Sequence, residues 1–494
     1  MNKYAARFLL LGGAKLLRIP IAIFTTALLS RTAGPEGVGQ WSMVVATAVF
    51  FHALCLGWTQ AQAVRVGRVE WLEFNRLSDT WAARAPLILA GLVLSVLILA
   101  FRPFSFFENL TQLPSSWWLL VMGYLIGTWC FSEAQLSQQA TGRFGLYAVS
   151  PLILDTLIAS FLFSRIQLGG DAVISMTIGG MVGLTVLFSA LLMTREMFIT
   201  HAVGGKSSTK AVLQVASFGG PFALAALMGF ASDWGDHFLL QYFHGAEQVG
   251  LFQAGYQTMA AAMALAAPVA VVFLPKLVDQ SRHDPLAEAD YVQRVIPVVA
   301  TFWLLAIIPC IAVLPSLFSV VFGHKFQPAQ PVLLALCISV PGAIFSYLYT
   351  VLFNIQGRSL RPAMIVAAMA MMNFTISFAL IPDMGGLGAA AGTAISYFLM
   401  QLLYMADQHR YLSVPAYQIC RIFLIGATFG AAQCYIGEEL TSRLLLAVMF
   451  MAALILQTRR SGIADRDVVA NLLPRRAGLI ARAVGWMLSG KRVG

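Results

Sequence analysis

The residues of this sequence that could do chemistry are the charged and polar side chains set inside long apolar runs. Lys15 and Arg18 stand three apart in the first run, which puts both cations on one face of a helix. Pro20 follows and can bend that helix. Such a pair can complement an anionic group, or it can reach back to lipid headgroups from a helix end. Arg65 is a third cation, either extending the same basic entrance or anchoring a loop. Glu133 and Asp155 are the most deeply placed acids. A charged side chain at the bilayer centre costs about 2.5 to 3.5 kcal/mol on insertion scales. They therefore read as halves of ion pairs or as groups that exchange a proton or sodium ion. Asp233 and Asp236 stand beside them as candidates for ion coupling or pairing, although their place at a helix end also suits plain solvation. His52 and Asn373 are suited to hydrogen bonds between helices.

No catalytic constellation accompanies these groups. The seven His are scattered and none forms an HExxH pattern. Cys55, Cys130, Cys310, Cys337, Cys420 and Cys434 fall in or at the ends of apolar runs without metal spacing, and read as apolar thiols. The expectation is a protein with no catalytic residue, no metal and no cofactor.

The elements that must position these residues are membrane helices. The chain of 494 residues is 59% hydrophobic and 11% charged, with a mean hydropathy of +0.77. A soluble domain carries about 25% charged residues. Apolar runs of membrane-spanning length recur at about 8-30, 41-64, 85-101, 117-136, 146-164, 172-193, 213-231, 250-274, 293-314, 331-354, 362-381, 386-405, 418-436 and 440-457. Lipid cannot hydrate exposed backbone, so these runs are helices, about 14 in all. Nothing follows the first run that resembles a small-residue cleavage site, so it reads as a retained span.

Basic residues orient the chain, because Lys and Arg collect on the cytoplasmic side. With the N-terminus inside, only Arg31, Arg102, Arg165, Lys325 and Arg443 of the 32 basic residues fall outside. That alternation needs an even number of spans and puts both termini in the cytoplasm. The net charge of +10 is thus a topology signal spread over loops and tail, and nucleic acid binding is rejected. The tail, 458-494, alternates Arg with apolar residues and reads as an interfacial helix or an ordinary basic tail.

The chain also repeats itself. GPEGVGQW, from Gly34 through Pro35, Glu36 and Gly39 to Trp41, returns as GAEQVGLF, from Gly245 through Glu247 and Gly250 to Phe252. Gly142-Arg143 is matched by Gly357-Arg358, and Gly169-Gly170 by Gly385-Gly386. The matches keep one order at nearly one offset and span six helices, so the halves run in parallel across the membrane. The first motif, with Arg31 before it, reads as a structural turn. The resulting division is a lobe at 1-205 (helices 1-6), a lobe at 206-412 (helices 7-12), a helix pair at 413-457 and the tail. The fold class is all-α integral membrane, two parallel-repeat six-helix lobes around a central cavity plus two extra C-terminal helices.

At these motifs the sequence resembles the polysaccharide and oligosaccharide-lipid flippases of the multidrug, oligosaccharidyl-lipid and polysaccharide exporter superfamily. The resemblance is carried by LLSRTAGPEGVGQWS (Leu28 to Ser42), SDWGDHFLLQYFHGAEQVGLFQAGYQ (Ser232 to Gln257), and VLFNIQGRSLRPAMIV with MMNFTISFALIPDMGGLGAAAGTAIS (Val351 to Ser396). It implies a bundle that moves an undecaprenyl-pyrophosphate-linked oligosaccharide from the cytoplasmic to the periplasmic leaflet of a bacterial inner membrane by alternating access, without covalent chemistry. Exopolysaccharide, capsule or O-antigen assembly is the implied setting. Its partners are the lipid-linked glycan, membrane lipids, and a polymerase and glycosyltransferases of the same pathway. Lys15, Arg18 and Arg65 become the candidates for holding the pyrophosphate. Two other classes are weighed: a multidrug or cation antiporter of the same superfamily, which favours acidic and aromatic cavities, and a membrane glycan polymerase, ligase or acyltransferase, which would need a catalytic loop.

Overall fold

A computed structural model describes residues 3–60, 63–101, 117–167, 174–266, 284, 286–356, 358, 360–436 and 439–460, and every regular element among them is helical. Helix α1 runs Lys3–Phe51 and is broken at Gly34, where the backbone leaves helical geometry. A π turn, His52–Leu56, and a 3-10 turn, Gly57–Gln60, carry the chain on to α2, Ala63–Phe74. The first half then continues through α3 (Ser78–Phe101), α4 (Trp118–Thr141), α5 (Phe144–Gln167) and α6 (Ile174–Ile199). Helices α7 (Thr209–His244) and α8 (Ala246–Ala264) open the second half. Beyond them come α9 (Ile296–Phe322), α10 (Gln330–Cys337), α11 (Ala343–Ile355), α12 (Leu360–Met384) and α13 (Gly386–Leu412). Helices α14 (Tyr417–Gln433) and α15 (Leu440–Arg460) follow.

Each of the fourteen apolar runs has a helix in it. Nine stretches among the described residues are long and apolar enough to cross a membrane. Their exposed faces are apolar: Leu89, Val93, Val96 and Leu97 on α3, and Leu445, Val448, Met449 and Leu456 on α15. Such stripes suit hydrocarbon, where an apolar side chain has no reason to turn inward.

The second run differs from the reading at 41-64. Its α-helix stops at Phe51, and α2 stands apart as a short helix of its own. Ala63, Gly67 and Glu70 form the buried face of α2, while Arg65, Arg68, Val66, Val69 and Leu72 are exposed. A basic and apolar outer face is that of a helix lying in the membrane interface. The inner face has a second task. Glu70 accepts hydrogen bonds at 2.8 Å from the backbone N–H groups of Asp79 and Thr80, and so caps the start of α3.

The structure separates into two compact units: residues 1–254 with 321–325 and 377–389, and residues 255–320 with 326–376 and 390–494. The first unit contains both copies of the leading repeat motif. Gly34 (φ 66, ψ −173) and Gly245 (φ 82, ψ −177) adopt the same conformation, one essentially reserved for glycine. Five residues on, Gly39 and Gly250 meet. A Cβ on Gly39 would collide with the Ala246 carbonyl and stand 3.0 Å from the Gly250 nitrogen. A Cβ on Gly250 would collide with the Pro35 carbonyl and stand 2.9 Å from the Gly39 nitrogen. Pro35 and Ala246 are themselves repeat equivalents, so the contact is reciprocal, as across a twofold axis. Of the other repeat positions, Gly169, Gly170 and Gly357 lie outside the described residues, as does the tail from 461.

Candidate functional site

Two candidates that the sequence placed in different roles are brought together. Arg18 Nε donates to Asp155 Oδ2 at 2.6 Å, joining α1 to α5. The pair is partly open: 53% of the Arg18 side chain and 18% of Asp155 are exposed. The Arg18 guanidinium has donors beyond the one that Asp155 takes. Lys15 lies on the same helix, but its side chain is outside the described residues. Arg65 is not part of this arrangement; it is exposed on α2.

Glu133 belongs to a separate, sealed network. Arg84 on α3 holds both its oxygens, through Nη1 at 2.9 Å and Nη2 at 2.5 Å, with 3% and 0% of the two side chains exposed. Arg84 Nε donates to the Thr59 carbonyl at 2.8 Å. Gln60 donates to Glu133 and to Ser132, each at 2.9 Å, and Ser132 stands 3.4 Å from His52 Nε2. The network thus gathers the π and 3-10 turns that end the second span onto α3 and α4. Arg84, one of the basic residues that the alternation of spans counts on the cytoplasmic side, is inside the protein, fully engaged with an acid.

The sequence reading missed a further pair of contacts. Arg143 binds the buried Glu196 through Nη2, and Arg195 and Gln138 donate to the same carboxylate at 2.9 and 3.3 Å. In the second unit Arg358 binds Asp407 at 3.0 Å, with the Tyr411 ring 4.1 Å from its guanidinium. Arg143 and Arg358 are the repeated arginines, and each acid sits near the C-terminal end of the sixth helix of its repeat. One arginine–carboxylate clamp has been built twice. The repeat named the arginines; the acids differ in type, Glu against Asp, and no sequence match pointed to them.

The remaining candidates disperse. Asp236 is buried on α7 and Asp233 is exposed. Asn373 is buried on α12. Glu36 accepts from Gln40 at 3.0 Å on the surface, and Glu247 is exposed. Arg31 donates from Nε to the Val321 carbonyl at 3.3 Å, and Ser30 to the Phe322 carbonyl at 2.9 Å, so the end of the first helix caps the end of α9.

Among the described residues the structure is a bundle of apolar helices carrying buried ion pairs, with one charged pair partly exposed. The fold is similar to that of a lipid II flippase, MurJ, in an inward closed conformation, with a TM-score of 0.71 at 13% identity, covering 92% of this chain and 99% of that one. It is also similar to an inward-facing multidrug resistance MATE family transporter of the MOP superfamily, with a TM-score of 0.59 at 13% identity, covering 81% and 98%. No curated protein matches the chain by sequence. Residues 5–280 match the profile described as polysaccharide biosynthesis protein, and the chain belongs to that family.

Proposed function

We propose that this protein is a flippase that carries an undecaprenyl-pyrophosphate-linked oligosaccharide from the cytoplasmic to the periplasmic leaflet of a bacterial inner membrane, by alternating access of two repeat-related lobes. The observation that carries this reading is the half-open Arg18–Asp155 pair, which joins α1 to α5. A pyrophosphate is a stronger ligand for a guanidinium than a single carboxylate, because it offers more charge and more acceptor oxygens. Asp155 then acts as a stand-in that occupies Arg18 when no cargo is bound, and Lys15 adds a second cation to the same helix face. Cargo arrival frees Asp155, which takes up a proton or another cation. That exchange couples loading to a compensating charge. Glu133 has no such freedom, since Arg84 engages both its oxygens, and its role is to hold the helices together.

The test is reconstitution into vesicles with a polyprenyl-pyrophosphate-linked oligosaccharide, reading its appearance in the opposite leaflet with a glycan-cleaving enzyme. The Lys15→Ala, Arg18→Ala protein should insert and fold yet lose transfer. Normal transfer by that variant overturns the pyrophosphate role. Efflux of an organic cation by the native protein, with the glycan lipid left in place, would establish the antiporter alternative.

A further inference from the structure

We infer that Cys337 and Cys434 are a site of oxidative modification, a thiol pair that closes into a disulfide between α10 and α14 within the second unit. Cys337 ends α10 and is 1% exposed. Cys434 caps the C-terminal end of α14 and is exposed. Both are thiols in this structure. Two glycines show how the segments that carry them meet. A Cβ on Gly430 would stand 2.8 Å from the Ile338 Cα and 3.3 Å from the Cys337 carbonyl oxygen. A Cβ on Gly426 would stand 2.8 Å from the Pro341 Cβ. One turn forward along α14 takes the contact backward along the other segment, so the two run antiparallel. The next turn carries Cys434, whose thiol donates back to the Gly430 carbonyl at 3.8 Å.

Side chains lean toward the N-terminus of their own helix, so in an antiparallel pair Cys337 and Cys434 lean toward each other. The Cys434 sulfur is near enough for its charge to act on Cys337. The glycine seam lets the two backbones approach as a disulfide requires, about 4.4 to 6.8 Å between Cα atoms. Burial in an apolar helix explains one thiol; it does not explain two converging from distant segments. Their unequal exposure sets the order of events. The exposed Cys434 thiolate attacks a disulfide-bearing oxidant and expels one of its thiols, leaving a mixed disulfide. The Cys337 thiolate then attacks Cys434 Sγ and expels the second. Two protein thiols are oxidised, the oxidant's disulfide is reduced to two thiols, and the two protons pass to the leaving thiolates. On the topology read from the basic residues, Lys325 before α10 and Arg443 after α14 lie outside, the side where such oxidants act. The bond would fasten α14, the first helix beyond the repeat, to the 3-10 break at Val340–Gly342 that separates α10 from α11.

The test is the full-length protein in nanodiscs, exposed to oxidised glutathione, alkylated under denaturing conditions with N-ethylmaleimide, and digested for mass spectrometry. The linked Cys337–Cys434 peptide should be the dominant cysteine pairing and should be lost on reduction. Oxidation should also raise the melting temperature, and that shift should be absent from Cys337→Ser. In Cys337→Ser, Cys434 should keep its glutathione adduct; in Cys434→Ser, Cys337 should remain a thiol. The unsubstituted protein gives the first reading, so the outcome does not hang on a variant that folds. Glutathione retained on Cys434 while Cys337 is alkylated in the unsubstituted protein overturns the pair. So does linkage of either residue to Cys310 or Cys420 in its place. Neither result bears on the transfer assay with Lys15 and Arg18.

Discussion

Arg84 and Arg18 show how differently two arginines of apolar helices can be used. Removing one partner of a fully buried pair leaves a charge with no water, at a cost of about 3 to 5 kcal/mol. Arg84→Met or Glu133→Leu alone should therefore destabilise the protein by about that much, whereas the double variant should recover most of the loss. Thermal unfolding in detergent, followed by Trp fluorescence, measures both. Arg18 and Asp155 are partly exposed, so Asp155→Asn should leave stability nearly unchanged and instead tighten binding of a pyrophosphate-bearing lipid, since the competing carboxylate charge is gone. A binding titration of the variant reports the change. Glu133 and Asp155 were legible in the sequence because a carboxylate in an apolar run has few explanations. Arg84 and Glu196 were not, because an arginine near a helix end already has one as a topology signal, and Glu196 follows Arg195 in what passes for a polar helix terminus.

Among the helices, the repeat finds its physical meaning in the two clamps. Each fastens the chain after the fourth helix of a repeat to the end of the sixth. Exchanging the charges tests this: Arg143→Glu should reduce the yield of monodisperse protein, and Arg143→Glu with Glu196→Arg should restore part of it; Arg358→Glu with Asp407→Arg should do the same in the second unit. Size-exclusion profiles of fluorescent fusions provide the comparison. Overpacking a dense contact costs about 1 to 3 kcal/mol, and here the obstacle is backbone rather than a yielding side chain. Gly39→Ala and Gly250→Ala should each lower the melting temperature, by similar amounts, because each meets the other's carbonyl. Helix α2 escaped the hydropathy reading because its few apolar positions lie beside arginines and continue the preceding run without a turn signal.

For the molecule as a whole, hydropathy was enough to find the helices, since lipid leaves the backbone no other regular choice except a closed barrel. Side-chain partners were harder, because contacts between distant helices leave no local pattern. Topology remains open to direct test. Lys325→Cys in a cysteine-free background should react with an impermeant maleimide added to intact cells, and a cysteine placed at Arg459 should react only after lysis.

The reciprocal seat of Gly39 on Ala246 and Gly250 on Pro35 also has the form of a subunit contact. Two separate half-length chains, inserted in the same direction and packed about a twofold axis, would make those two contacts as one homodimer contact seen from both sides. In this chain the same pair of contacts closes within a single polypeptide. Neither glycine is free to drift alone, since each copy of the motif is the other's binding surface.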